Sequence, residues 1–145
     1  MNETRPAYEM IFGALGQGLP NLLLQLATAL ALLVLGVLLY MAVTPFRERE
    51  LVQHGNVAAA TAFGGAVVAL AIPLGALLAT SDRWLDIVIW GIVAVLLQLL
   101  TFALASLWLR GLRGMIEAGN VAAAIQVVAA QLAIGLLNAA AMVPT

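Results

Sequence analysis

The chain contains no cysteine and no lysine, and His54 is its only histidine. The absence of cysteine excludes disulfides, thiolate metal ligands and cysteine nucleophiles. A single histidine in a short polar stretch, with no carboxylate cluster beside it, supplies neither a metal site nor a nucleophile with its base. We therefore predict a protein that is not an enzyme, has no catalytic residues and uses no metal or other cofactor.

Charge is also scarce, since only 9% of the 145 residues are charged and the net charge at pH 7 is −1. Apolar residues make up 64% of the chain, and its mean hydropathy is +1.09. Soluble domains are roughly half apolar and one quarter charged. Nucleic-acid binding needs a clustered basic surface, which is missing here. The composition predicts an integral membrane protein whose partner is the lipid bilayer.

Four apolar stretches are long enough to cross a membrane as helices. At the helical rise, the first of them is about 33 Å long, against a hydrocarbon core of about 30 Å. The predicted fold is therefore all-α, with four transmembrane helices in a single membrane domain over residues 22–143. Residues 1–21 precede it and, because their apolar part is too short to span, are predicted to form an interfacial or irregular lead-in. The four predicted spans are Leu22–Val43, Val57–Thr80, Trp84–Leu109 and Val121–Met142.

A six-residue sequence occurs twice, at Gly55–Ala60 and again 64 positions later at Gly119–Ala124. Each copy opens an apolar stretch, so the chain divides into two units of two spans, residues 22–80 and 81–145. Because each unit has an even number of spans, both units enter the membrane in the same direction. The pattern predicts a parallel tandem duplication, in contrast to the inverted repeats of many transporters.

The Gly-Asn pair at the start of each copy predicts a helix N-cap. Asparagine is among the best N-cap residues, and the glycine before it permits a chain reversal. An alternative reading is that the two positive helix ends, together with nearby arginines, form a site for an anion or a lipid headgroup. We favour capping and keep the headgroup site open. The residues concerned are Arg49, Gly55 and Asn56 in the first copy and Arg113, Gly119 and Asn120 in the second.

The arginines predict the orientation of the chain. The loops that carry the Gly-Asn pairs hold Arg47, Arg49, Arg110 and Arg113, whereas the other side holds only Arg5 and Arg83. Because positively charged loops stay in the cytoplasm, both Gly-Asn loops are predicted to be cytoplasmic and both chain ends to lie outside it.

No charged residue lies near the middle of a predicted span, which argues against a proton relay or a charge-coupled carrier. Asp86 comes nearest, and its place close to Arg83 in the first turn of the third span favours an interfacial ion pair or an acid that complements the helix dipole. Gln98 and Gln131 are predicted to lie at similar depth in antiparallel spans and to hydrogen-bond near the midplane. Asn138 lies two turns beyond Gln131 on the same face of the fourth span.

Pro73 is predicted to kink the second span and to leave the carbonyl of Ala69 without its usual donor. We expect a glutamine or asparagine of the fourth span to supply that donor. The amides then serve as interhelical bonds, which we favour, or line a path for a permeant. Small residues at every fourth position predict that spans two and four pack together, with spans one and three more exposed.

Several short motifs in a fixed order give the chain a resemblance to the YjfL-like bacterial inner-membrane proteins. The resemblance implies a four-span inner-membrane protein without an assigned activity, and it carries over no catalytic residue. The motifs are Tyr40-x-x-x-Thr44-Pro45-x-x-Glu48, Asn-x-Ala-Ala at Asn56 and at Asn120, Ile72-Pro73-Leu74, Asp86 with Trp90-Gly91, Gln98-Leu99-Leu100, and Asn138-Ala139-Ala140-x-Met142.

Two functions from different classes follow from these features. The first is a non-catalytic helical bundle that binds lipid headgroups, or protein partners of unknown identity, through its cytoplasmic loops. The second is a small channel or carrier for a solute or an ion, in the monomer or a homo-oligomer, with Gln98, Gln131 and Asn138 facing water. The lack of charge inside the membrane and the small-residue packing favour the first.

Overall fold

The structure is a computed structural model that describes residues 7–44 and 47–143. Within these ranges, four helices are long and apolar enough to cross a membrane. The prediction of an all-α protein with four spans is therefore confirmed. Pro45, Arg5 and both chain ends lie outside the described residues. The helices are α1 (Ala7–Val43), α2 (Glu48–Gln53), α3 (Val57–Thr80), α4 (Trp84–Trp108), α5 (Leu112–Glu117) and α6 (Val121–Ala141).

Helix α1 differs from the prediction at its start, because it begins at Ala7 and continues through Pro20. The expectation of irregular structure before residue 22 is wrong for residues 7–21, while an interfacial position for them stays a prediction. Proline removes only one backbone donor, and an apolar segment satisfies its other backbone groups best by staying helical. With 37 residues, α1 is about 55 Å long, which exceeds a hydrocarbon core of about 30 Å even at a tilt of about 40°.

Helices α3 and α6 make the most extensive contact in the bundle, as the small residues predict. Ala58, Ala62 and Ala66 are buried on α3, and Ala124 and Val127 are buried on α6. Small side chains let the two backbones approach, and a Cβ added at position 65 would collide with the side chain of residue 128. These two helices form the centre of the bundle.

The expectation that spans one and three are the exposed pair is correct for α1 but wrong for α4. In the most apolar segment of each helix, 17% of residues are buried in α1, 33% in α4 and 28% in α6. The reason is that α4 packs against three helices, α1, α3 and α6. A glycine at position 91 leaves room for the side chain of Leu32, which brings α1 and α4 together.

The bundle has two different ends. Residues 81–83 join α3 to α4 at one end, which we call the hairpin end. Helices α2 and α5, with the two Gly-Asn pairs, form the other, which we call the short-helix end. The first half of the chain (α1, α2, α3) and the second half (α4, α5, α6) have the same order of elements. Helices α5 and α6 begin 64 residues after α2 and α3, respectively.

Candidate functional site

The first Gly-Asn pair ends one helix and begins the next. The N–H of Gly55 donates to Val52 O at 3.0 Å, and the N–H of Asn56 donates to Leu51 O at 2.9 Å. These bonds form a Schellman motif, which places the residue after the helix in the left-handed region. Gly55 occupies that region with φ of 79°. The Oδ1 of Asn56 accepts from the N–H of Ala59 at 2.9 Å, so Asn56 is the N-cap of α3.

The second pair has the same geometry 64 residues later. The N–H of Gly119 donates to Ile116 O at 2.9 Å, and the N–H of Asn120 donates to Met115 O at 2.8 Å. Gly119 has φ of 80°. The Oδ1 of Asn120 accepts from the N–H of Ala123 at 3.1 Å, which makes Asn120 the N-cap of α6. In each half, the Gly-Asn dipeptide therefore ends the short helix and begins the long helix that follows it.

The two asparagines differ in what their amide nitrogens contact. The Nδ2 of Asn56 donates to Ile116 O at 2.9 Å and to Glu117 O at 3.2 Å, at the end of α5. Asn56 is half-buried and Asn120 is exposed. In the part of the chain that the structure describes, Asn120 makes no such bond to α2. Asn56 therefore links the first half to the second, whereas Asn120 acts only within its own half.

Three arginines lie around one surface pocket at the short-helix end. Arg47 pairs with Glu50 at 2.9 Å, and Arg113 pairs with Glu117 at 2.8 Å, all with exposed side chains. Within residues 7–44 and 47–143, Arg49 forms no ion pair. The pocket has a volume of about 540 Å³ and is lined by Leu38, Met41, Thr44, Arg47, Glu48, Arg49, Glu50 and Arg113.

Glu48 is a buried acid at the start of α2, only 3% exposed. Burial raises the pKa of its carboxyl above the ordinary value, because it penalises the charged form. Its Oε1 has no hydrogen-bond partner among the described residues. Sequence reasoning gave Glu48 no role. The 64-residue offset between the two halves does contain a signal for the burial of Glu48. The corresponding residue of the second half is Leu112, which is apolar and buried.

Inside the bundle, the side chain of Gln98 joins three helices. Its Nε2 donates to Ala69 O on α3 at 2.7 Å and to Gln131 O on α6 at 3.1 Å. Pro73 cannot donate to the Ala69 carbonyl, so Gln98 satisfies the acceptor that the proline leaves free. The donor was expected from span four and comes from span three, because α4 packs against both α3 and α6. We call Ala69 O, Gln98 and Gln131 the amide cluster.

A glycine on α6 makes room for the amide cluster. A Cβ at Gly135 would lie 2.8 Å from both Ala69 O and Gln98 Nε2. Asn138, by contrast, does not join the cluster. It is half-buried, and its Nδ2 has no partner in the described part of the chain. The structure thus brings Gln98 and Gln131 together and leaves Asn138 apart.

Among the described residues, no three His, Asp or Glu side chains lie close enough to hold a metal ion. At the hairpin end, Asp86 lies 3.9 Å from Arg83, with both side chains substantially exposed. This is the interfacial ion pair that the sequence suggests.

Comparison with known proteins agrees with this architecture. Residues 14–142 match the family described as Domain of Unknown Function (DUF350). The chain belongs to this family. It is also 34% identical over 112 residues to the UPF0719 inner membrane protein YjfL of Escherichia coli K12, and equally to that of Escherichia coli O157:H7. The match covers 77% of this chain and 85% of each relative.

Membership in the DUF350 family confirms the resemblance to the YjfL-like proteins. The names of the two relatives describe inner membrane proteins and state no activity. No solved structure matches the chain. What this family member does must therefore be argued from its own residues.

Proposed function

We propose that this DUF350 protein is a non-catalytic membrane bundle that binds anionic lipid headgroups at its short-helix end. The observation that carries the proposal is the pocket in which Arg47, Arg49 and Arg113 lie beside Leu38 and Met41. A lipid offers the same combination, with a phosphate at the membrane surface and apolar chains beneath it. Arginine suits this role because its planar guanidinium can bind a phosphate through two hydrogen bonds.

The charges around the pocket leave the arginines available to a phosphate. Exposed ion pairs such as Arg47 with Glu50 and Arg113 with Glu117 contribute only about 0–1 kcal/mol, so a phosphate can compete with the glutamates. Arg49 forms no ion pair with a described residue. Arginines near an anionic membrane surface attract it by roughly 1 kcal/mol each.

The proposal includes the location and orientation of the chain. The two relatives are named as inner membrane proteins, which supports the same location here. The excess of arginine at the short-helix end favours placing that end in the cytoplasm and both chain ends outside it. In bacteria this orientation brings the pocket against a leaflet with anionic headgroups.

The architecture supports a proposed origin by duplication. The 64-residue offset between the helices of the two halves, and the matching geometry of the two Gly-Asn pairs, favour a parallel tandem duplication of a two-span unit. Units over residues 22–80 and 81–145, a membrane domain over 22–143 and assembly into a homo-oligomer stay predictions.

The geometry does not favour the alternative, a channel or carrier through the amide cluster. Gln98 donates to backbone carbonyls, and the cavity beside Gln98 and Gln131 has a volume of only about 10 Å³. A flux assay tests this alternative directly. Solute flux in liposomes that is abolished by Gln131→Leu would replace the bundle proposal with a channel.

Native mass spectrometry of the purified protein with phosphatidylglycerol and phosphatidylcholine tests headgroup binding. The double variant Arg49→Gln/Arg113→Gln should lose tenfold or more of its affinity for phosphatidylglycerol, since about 1 kcal/mol per arginine corresponds to about thirtyfold for two. The matched control is Arg83→Gln at the hairpin end, which should retain binding. An equal loss in the control, or no preference for the anionic lipid, would refute the proposal.

A further inference from the structure

Three residues that carry unpartnered polar atoms line a small cavity inside the bundle. The cavity is about 10 Å³ in volume, and its polar lining comes from Tyr40 on α1, Gln98 on α4 and Gln131 on α6. The rest of the lining is alanine and leucine. The Tyr40 hydroxyl, Gln98 Oε1 and Gln131 Oε1 have no hydrogen-bond partner in the described part of the chain. The three side chains are nevertheless buried, with at most 4% of each residue exposed.

Such orphaned groups are costly inside a membrane bundle, where each unsatisfied polar atom destabilises the fold by about 1–3 kcal/mol. The orientation of the Gln98 amide follows from its donors. Because Nε2 bonds to Ala69 O and Gln131 O, the other end of the amide must present its oxygen. Oε1 of Gln98 can only accept a hydrogen bond, so it needs a donor that no described residue supplies.

We propose that this cavity binds one water molecule. A cavity needs about 10–15 Å³ of this kind of volume to hold a water, and the water needs two to four polar partners. The three groups match three of the four hydrogen bonds that a water can form. The water donates its two hydrogens to Gln98 Oε1 and Gln131 Oε1 and accepts the hydrogen of the Tyr40 hydroxyl.

Other small ligands fit this cavity less well. A bare cation would meet two carbonyl oxygens but no negative charge, and an unpaired charge in a membrane interior is expensive. A solute larger than one heavy atom exceeds the available volume. Water is therefore the ligand that satisfies all three orphaned groups at the least cost.

The bound water extends the amide cluster to the fourth long helix. Gln98 already connects α3, α4 and α6 through its own hydrogen bonds. The water adds Tyr40 and hence α1, which also contacts α4 through the edge-to-face packing of the Tyr40 and Phe102 rings at 4.8 Å. The least buried helix thereby gains a polar anchor in the core.

The direct test is an experimental structure of the full chain at a resolution that reveals ordered water. The expected result is one peak within hydrogen-bond distance of Tyr40 Oη, Gln98 Oε1 and Gln131 Oε1, which disappears in Tyr40→Phe. Phenylalanine keeps the ring contact with Phe102, so this variant retains its packing. An empty cavity, or a Gln131 amide that donates directly to Gln98 Oε1, would overturn the proposal.

Thermal unfolding of the single and double variants gives an independent readout. Removing either partner of a bridging water disturbs the same site, so Tyr40→Phe and Gln131→Met should each lower Tm by about 3 °C. The double variant should lower Tm by clearly less than the sum. The control Tyr8→Phe changes an exposed tyrosine and should leave Tm unaltered. Strict additivity of the two changes would contradict a shared water.

Discussion

In the first half, α2 and Gly55-Asn56 occupy the positions that α5 and Gly119-Asn120 occupy in the second, 64 residues later. Both halves close the short helix with a left-handed glycine and open the long helix with an asparagine cap. At the short-helix end the two halves therefore have the same local structure.

The interiors of the long helices do not correspond in this way. Pro73 in α3 corresponds to Leu137 in α6, while Gln98 and Gln131 of the second half correspond to Val34 and Val67 of the first. The first half thus contains the proline that frees a carbonyl, and the second half contains the amide that bonds to it. The comparison teaches that the interiors of the two halves are complementary, because an amide of the second half donates to the carbonyl that the proline of the first half leaves free.

The largest expected effect comes from removing the hydrogen bond between Gln98 and Ala69 O. Gln98→Leu should lower the free energy of unfolding by about 2 kcal/mol, because Ala69 O loses its side-chain donor in an apolar environment. Asn138→Leu is the matched control, since its buried Nδ2 makes no hydrogen bond within the described residues, so this change should not lower stability. Denaturation of the purified proteins measures both changes. An equal loss of stability in the two variants would show that the hydrogen bond from Gln98 to Ala69 O is not what stabilises the fold.

The two caps should differ by a smaller amount. Asn120→Ala should cost about 1 kcal/mol, as expected for a cap alone. Asn56→Ala should cost about 1 kcal/mol more, because its Nδ2 also bonds to the two carbonyls at the end of α5. Thermal unfolding of both variants under the same conditions measures the difference. Identical losses would mean that the cross-half bonds contribute nothing to stability.

The smallest effect concerns Glu48 and depends on pH. Because its pKa is raised in the folded state, the folded protein binds the proton more tightly than the unfolded chain. Stability from this group is fully present below the ordinary pKa of 4.5 and is lost as pH rises through the folded pKa. At pH values above the folded-state pKa of Glu48, the variant Glu48→Gln should therefore be more stable than the parent.

Melting curves between pH 4 and pH 8 check this difference, with Glu50→Gln as the exposed control. The advantage of Glu48→Gln should shrink as pH falls toward 4.5. Arg47, Arg49 and Arg113 line the same pocket, and their attraction for an ionised carboxylate works in the opposite direction. A variant that is less stable than the parent at pH 8 would show that the arginines dominate over burial.

Much of the fold was predictable from local signals. The start of α3 at Val57 and of α6 at Val121 followed from the asparagine caps, and the end of α3 at Thr80 followed from the polar turn after it. The length of the apolar part of residues 1–21, too short to span alone, does not reveal the start of α1, because residues 7–21 continue into the first span as one helix through Pro20. In an apolar environment the backbone has no partner other than its own helix, so such a residue interrupts it less.

The site residues were harder to predict because their roles depend on packing between distant segments. The depth of Gln98 and Gln131 could be estimated from the helical rise, but which helix faces Ala69 could not. Tyr40 lies near the end of the first predicted span and Glu48 lies beyond it, yet both are buried. Only the 64-residue register, which pairs Glu48 with Leu112, offered a local signal for such burial.

The complementarity of the two halves is tested most directly by a double-mutant cycle between Pro73→Ala and Gln98→Leu in denaturation experiments. Alanine at position 73 restores a backbone donor to Ala69 O, so Gln98→Leu should cost about 1 kcal/mol less in that background than in the parent. The same cost in both backgrounds would show that Gln98 does not compensate for the proline.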